Sequence, residues 1–264
     1  MHPSGSDLAA APEVQRRIPR SGIGMHLFTM RGSLAVDTPG TYQALADIGY
    51  ATIGVSGRHG HSPAELRSLA DGVGLEVVLE HVGYDRMLDS WEGALADVRV
   101  LGGRWVVIPS LPDSLHTPDG FRQVAEEFNA AGELAREAGL TLLFHNHGVD
   151  FATVDGEVLY DILLAETNPQ LVGFLLDVYW CVDGGYDPAD YFVNHPGRFP
   201  ALHVKDMSVT GDFADVGSGV LDFPSMFDGT QDAGVEQWLV EHDFPAGEMA
   251  TARRSYDYLV NLQY

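Results

Sequence analysis

Eight of the eleven histidines, His26, His59, His61, His81, His145, His147, His203 and His242, stand at or just after the end of a short apolar run. Imidazole binds divalent metals and transfers protons near neutral pH, so histidines gathered in this way point to a metal or acid–base centre rather than to scattered loop polarity. Three further features sharpen the reading. Asp177 and Glu241 directly follow an apolar run, His203 lies beside the end of one, and His145 follows Phe144 at the end of another. Such a mixed imidazole and carboxylate set suits Mn²⁺, Mg²⁺, Co²⁺ or Zn²⁺, with Mn²⁺ as the first expectation. Lys205, two residues after His203, is the only lysine among 15 basic residues. A lysine retained where arginine serves everywhere else suggests chemistry, because only lysine can be tuned for proton transfer by burial.

Side chains this far apart in sequence meet only if the elements that carry them are arranged in a closed order. The apolar runs are Ile23–Phe28, Ala51–Val55, Glu76–Glu80, Trp105–Ile108, Thr141–Phe144, Val172–Leu176, Ala201–Val204 and Gln237–Val240. Short continuous runs of this type suit parallel strands buried on both faces. Between them lie helical segments with clear openings. Ser62-Pro63-Ala64-Glu65 reads as a capping box with proline at the first helical position, and Thr38-Pro39, Ser90-Trp91, Thr117-Pro118 and Asp187-Pro188 mark four more. Strict strand–helix alternation predicts a parallel sheet, and eight units in about 240 residues favour a (β/α)8 TIM barrel over an open sheet. In that fold the active site forms at the C-terminal strand ends. Adjacent strands lie about 4.8 Å apart, so neighbouring strand ends can share one ion. No G-x-G-x-x-G follows the first run, which counts against a nucleotide-binding sheet. The expected organisation is a flexible N-terminal tail over residues 1–20 and a single barrel domain over residues 21–264.

Composition narrows the partners. The net charge is −23 and the chain carries no extended basic cluster, so nucleic acid and an anionic membrane surface are disfavoured. No stretch is long and apolar enough for a transmembrane helix, and the first twenty residues lack the apolar segment of a signal peptide. A single cysteine, Cys181, cannot form an internal disulfide. Together these lead to the expectation of a cytoplasmic protein acting on a small molecule.

Several segments also carry a family likeness: Leu45–Tyr50 (LADIGY), Ser62–Leu66 (SPAEL), His145–His147 (HNH), Leu176–Trp180 (LDVYW), His203–Asp206 (HVKD), Val216–Phe223 (VGSGVLDF) and Val240–Asp243 (VEHD). On these the chain resembles the sugar phosphate isomerase/epimerase family, the xylose isomerase-like TIM barrels that include inosose dehydratases and ketose 3-epimerases. The resemblance spans nearly all of residues 21–264. It implies a divalent metal held by Glu, Asp, His and Glu at the ends of strands five to eight. Asp177, His203 and Glu241 match that pattern, while His145 stands where the first glutamate is expected. The two-glutamate acid–base pair of the ketose epimerases is therefore incomplete here.

The resemblance implies a sugar or keto-sugar substrate that passes through an enediolate. Arg31, Arg58, Arg86, Arg198 and Lys205 form no phosphate-loop pattern, so an uncharged sugar is favoured. Lys205, His147, His81, His242 and Glu241 are candidate bases. Lys205 is preferred, on the expectation that metal charge and burial lower its pKa, with a histidine as partner acid. Reprotonation of the enediolate gives an isomerase or epimerase; loss of a β-leaving group gives a dehydratase or keto-glycoside eliminase. The competing reading is a non-catalytic or partner-dependent barrel subunit of a keto-glycoside-processing complex, which would expose an apolar patch. Homo-oligomerisation is compatible with both. The aromatics Tyr179, Trp180, Tyr186, Tyr191 and Phe192 are expected to pack, with a pocket or an interface as alternatives.

Overall fold

Alternation along each apolar run decides which side chains fill the interior of the sheet and which meet the surrounding helices. The structure is a computed structural model that describes residues 15–264. Its strands are β1 (Ile23–His26), β2 (Thr52–Val55), β3 (Glu76–His81), β4 (Trp105–Ile108), β5 (Thr141–His145), β6 (Val172–Asp177), β7 (Ala201–Val204) and β8 (Gln237–Val240). They pair in parallel with their sequence neighbours, and β1 closes on β8, so the sheet is an eight-stranded closed barrel with helices between the strands. The runs expected from sequence match these strands to within one or two residues. The difference at the end of β1 is informative. Pairing stops at His26, and Leu27–Met30 turns as a 3-10 helix that buries Leu27 and Met30 and turns Phe28 outward.

Successive layers stack inside the barrel. Leu79, Trp105, Val107, Leu143, Leu175, Ala201 and Leu239 form an apolar plug. Two positions further along their strands stand His81, His145, Asp177, His203 and Glu241, with His26 at the end of β1. The period of two that buries the leucines therefore aims the polar residues at the same axis, one layer higher. The β1–β2 side is kept thin by glycine. A Cβ at Gly54 would lie 2.9 Å from the His26 ring and 2.9 Å from Leu79, so Gly54 makes room for His26 to lean inward.

The helices follow their expected starts. Ser62 accepts from the Glu65 amide and Glu65 caps the Ser62 amide, completing the capping box of helix Pro63–Val73. Thr117 and Asp187 cap the helices at Pro118–Glu137 and Pro188–Asn194. Ser90 opens its helix as expected, and a further helical segment precedes it across a kink. Helical turns begin at Tyr84 and run to Leu101 with a break at Ser90 (φ −153°, ψ 46°). The earlier turns form because Tyr84 and Met87, three residues apart, present one buried apolar face.

The tail expected over residues 1–20 divides in two. Residues 1–14 lie outside the described residues. Residues 15–20 are fastened to the barrel: Arg16 and Tyr264 exchange backbone hydrogen bonds of 2.6 and 3.1 Å, and Ile18 is buried. Among the described residues, no helix is long and apolar enough to cross a membrane.

Candidate metal centre

The layer above the apolar plug collects donors from four consecutive strands. His145 ends β5, Asp177 ends β6, His203 lies in β7 and Glu241 follows β8. One ligand atom from each lies within 4.8 Å of those of the other three, and all four residues are buried. A second group, His26, His81 and His203, shares His203 with the first. The site opens into a cavity of about 430 Å³ at the C-terminal strand ends, lined by His26, Phe28, Ser56, His81, Pro109, Ser110, His145, His147, Lys205, Glu241, Asp243 and Phe244. That size suits a small organic ligand.

The carboxylates are held from behind, so their free oxygens face one centre. Asp177 Oδ1 accepts from the Trp180 amide at 3.1 Å, which caps the short helix Val178–Asp183 and leaves Oδ2 inward. Asn146 clamps the same strand end, accepting from the Asp177 amide at 2.9 Å and donating to its carbonyl at 3.2 Å. Glu241 Oε1 is 2.7 Å from His26 Nδ1, and Oε2 is 2.9 Å from His203 Nδ1. Outer partners of this kind fix the orientation of metal ligands.

The donor set fits a divalent cation. Nε2 of His26, Nε2 of His81, Nδ1 of His145 and Nε2 of His203 are buried without a hydrogen-bond partner. Buried polar atoms are ordinarily satisfied, so a cluster of bare lone pairs is the signature of a ligand set. Burial pushes the His203 imidazole down to about 3 and holds His81 and His145 well below their ordinary range, so all three are neutral and able to ligate. Burial also pushes Asp177 up to about 7, a buried carboxylate short of positive charge. Glu241 goes the other way: burial alone would raise it, but His203, Lys205 and His26 hold it well below the carboxylate range.

Lys205 overturns one expectation. Its Nζ lies 3.0 Å from Asp177 Oδ2, 2.9 Å from Glu241 Oε2 and 2.9 Å from Asp243 Oδ1. Burial opposes its charge, but the three carboxylates outweigh burial and raise its pKa rather than lower it. The side chain is an ammonium in a carboxylate cage, not a neutral amine ready to take a proton. The alternation that placed Lys205 on the face of His203 was legible in sequence; the arrival of Asp243 from beyond β8 was not.

Of the eight strand-end histidines, five meet at the site. His147 lines the cavity with its ring 4.8 Å from that of His145, and burial lowers its pKa. His59 is exposed in a left-handed turn (φ 48°), and His61 lies in the same loop. His242 faces away, its Nδ1 accepting from the Phe244 amide at 3.2 Å. The cations named as phosphate candidates are all engaged. Arg58 binds both oxygens of Glu80 and also Asp97, which Arg86 shares. Arg198 is buried against the Leu164 carbonyl and Thr167, and Arg31 donates to the Phe28 and Asp243 carbonyls. The aromatics after β6 mostly pack: Tyr191 and Phe192 are buried, Tyr179 donates to the Gly211 carbonyl, and Trp180 lies beside Lys205 and His147.

With this geometry in hand, likeness to known proteins becomes interpretable. Residues 42–261 match the family model of the xylose isomerase-like TIM barrel. The chain belongs to that family. It is 30% identical to the rhizopine catabolism protein MocC of Rhizobium meliloti over 78% of this chain and 75% of that protein. It is 29% identical to an inosose dehydratase of Geobacillus thermodenitrificans over a shorter stretch, about half of each chain (47% of both). A crystal structure of a sugar phosphate isomerase/epimerase from Parabacteroides distasonis superposes with a TM-score of 0.80 at 25% identity, covering 96% of this chain and 95% of that one. The second of these is named as a dehydratase of inosose and the third as an isomerase/epimerase of sugar phosphates.

Proposed function

We propose that this member of the family is a divalent-metal-dependent enzyme acting on an uncharged sugar or keto-sugar through an enediolate, with elimination favoured over epimerisation. The observation that supports this best is the convergence of His145, Asp177, His203 and Glu241 on one centre at the floor of the cavity. A divalent cation held by these four supplies Lewis-acid polarisation of a substrate carbonyl.

The chain's own residues divide the proton work. Proton removal requires a neutral base at the cavity wall. His147 fits, because burial keeps its imidazole unprotonated at neutral pH and it lines the cavity. His81 is a second neutral imidazole on the opposite side of His145. Lys205 takes the complementary role to the one expected from sequence. As a fixed ammonium it stabilises a developing oxyanion and can return a proton to a leaving oxygen. Glu241 is already committed to His26, His203 and Lys205, and His145 replaces the other glutamate of the epimerases. Among the described residues, the two carboxylates that line the cavity, Glu241 and Asp243, both pair with Lys205, so inversion at carbon lacks a free carboxylate partner. Removal of one proton and loss of a β-hydroxyl or β-alkoxyl group needs only one base and one acid. The engaged state of every nearby cation supports an uncharged substrate over a phosphosugar.

The test is incubation of the Mn²⁺-loaded protein with a panel of keto-sugars, inososes and keto-glycosides in D₂O, followed by mass spectrometry. Deuterium in recovered substrate, or an unsaturated product, is expected with wild type and lost with His147→Ala. Turnover of a phosphosugar in preference to every neutral substrate would contradict this reading.

A further inference from the structure

Three carboxylates, Asp177, Glu241 and Asp243, surround one ammonium, Lys205, with oxygen–nitrogen distances of 3.0, 2.9 and 2.9 Å. Only two of the three belong to the ligand cluster; Asp243 does not. Three carboxylates around one ammonium leave two carboxylates in excess, the number that one divalent cation matches. Two cations that share the same oxygens repel one another, however. Asp177 Oδ2 and Glu241 Oε2 are the atoms that Lys205 occupies, and they are also the oxygens left facing the centre after Trp180 and His26 have taken the others. A metal on those oxygens repels the ammonium and weakens its hold on both.

We propose that Asp243 is the berth that retains Lys205 when a divalent cation takes Asp177 and Glu241, so that Asp243 sets metal affinity without touching the metal. Neutrality then holds: three carboxylates, one ammonium and one divalent ion. Asp243 is suited to the task because it is the outermost of the three, its side chain 14% exposed, against 0% for Asp177 and 4% for Glu241. Its backbone carbonyl is tied to Arg31 at 2.5 Å, which fixes the loop that presents it. In this arrangement Lys205 is a competitor of the metal, and Asp243 relieves the competition. The inference rests on the metal reading of the site and adds a positioning residue to it.

The experiment is a double-mutant cycle on metal affinity, read by titration of chelator-treated protein with Mn²⁺. Lys205→Met is expected to tighten Mn²⁺ binding, because no ammonium competes. Asp243→Asn is expected to weaken it about tenfold, because Lys205 then has only the ligand carboxylates to pair with. In the Lys205→Met background, Asp243→Asn is expected to have little further effect. An equal loss in both backgrounds, or no loss in either, overturns the proposal while leaving the metal site standing. Absence of Mn²⁺ binding in the wild type overturns both.

A second readout is independent of whether Lys205→Met folds. Lys205 is the only lysine in the sequence. Untagged wild-type protein labelled with ¹³Cε-lysine therefore gives one side-chain signal. Titration with diamagnetic Zn²⁺ is expected to shift it, and Asp243→Asn to change the shifted position. A signal unmoved by saturating Zn²⁺ contradicts the transfer.

Discussion

Glu241 shows how much a single side chain is asked to do. One oxygen is bound by His26 across a sequence separation of 215 residues, and the other faces His203 and Lys205. His26 is thus an outer partner that orients a ligand. Removing its hydrogen bond in His26→Phe is expected to weaken Mn²⁺ affinity about 10- to 100-fold, measured by the same Mn²⁺ titration. The four candidate metal-ligand positions stood out in sequence because each lies at or beside the end of an apolar run, and the barrel geometry brings them together. The partnerships were less legible. His26 was visible as a strand-end histidine, but nothing local says that it meets Glu241. Asn146 was visible only as the middle letter of His145–His147, yet it clamps Asp177 on both backbone groups. Lys205 was found, and its charge state was misjudged. That state depends on three carboxylates that arrive from two strand ends, those of β6 and β8.

At the scale of elements, what was legible followed from local chemistry. Strand runs, proline-led helix starts and the Ser62–Glu65 capping box are written in adjacent residues, and all are present. The box has a measurable value. Ser62→Ala is expected to destabilise the fold by about 1 kcal/mol with no change in the site, which urea unfolding will check. The helix start at Ser90 was legible, whereas the helical turns before it were not, because the buried face of Tyr84 and Met87 is a tertiary feature. The loop after β7 is organised by Asp206, which accepts from the amides of Met207, Gly217, Gly219 and Leu221, contacts that no local pattern announces. The loops after β4 and β5 are joined by His116 and Asp150, 3.1 Å apart, and Asp150 also accepts from the His147 amide at 2.6 Å. The hydrogen bond to Asp150 raises the His116 pKa against the opposing effect of burial. Stability from a raised histidine is fully present below its ordinary value of about 6.5 and fades as pH rises through the folded value. The destabilisation caused by His116→Asn is therefore expected to be larger at pH 5.5 than at pH 9 in urea unfolding. An equal loss at both would show that His116 acts only by packing.

The whole molecule is a closed barrel whose apolar plug supports a polar, ligand-bearing upper layer. That layer carries a buried deficit of positive charge inside a chain already at −23. The global field disfavours polyanions, while the local deficit calls for one compact cation. Apolar side chains exposed on the surface are spread over distant elements, Val36, Leu88, Leu134 and Val193 among them; Phe28 and Phe244 meet at the cavity lip with Arg31 between them. The fold was legible because eight repeats of one local pattern leave few closed arrangements. The direction of the chemistry was not, because it turns on which of several convergent groups holds a proton. The most direct measurement is the stoichiometry of Mn²⁺ bound to chelator-treated protein, followed by electron paramagnetic resonance, in wild type and His203→Ala. The account predicts one tightly bound ion per chain in wild type and none in the variant, with both proteins folded. A wild-type chain that binds no ion, or a variant that binds as tightly as wild type, would contradict it.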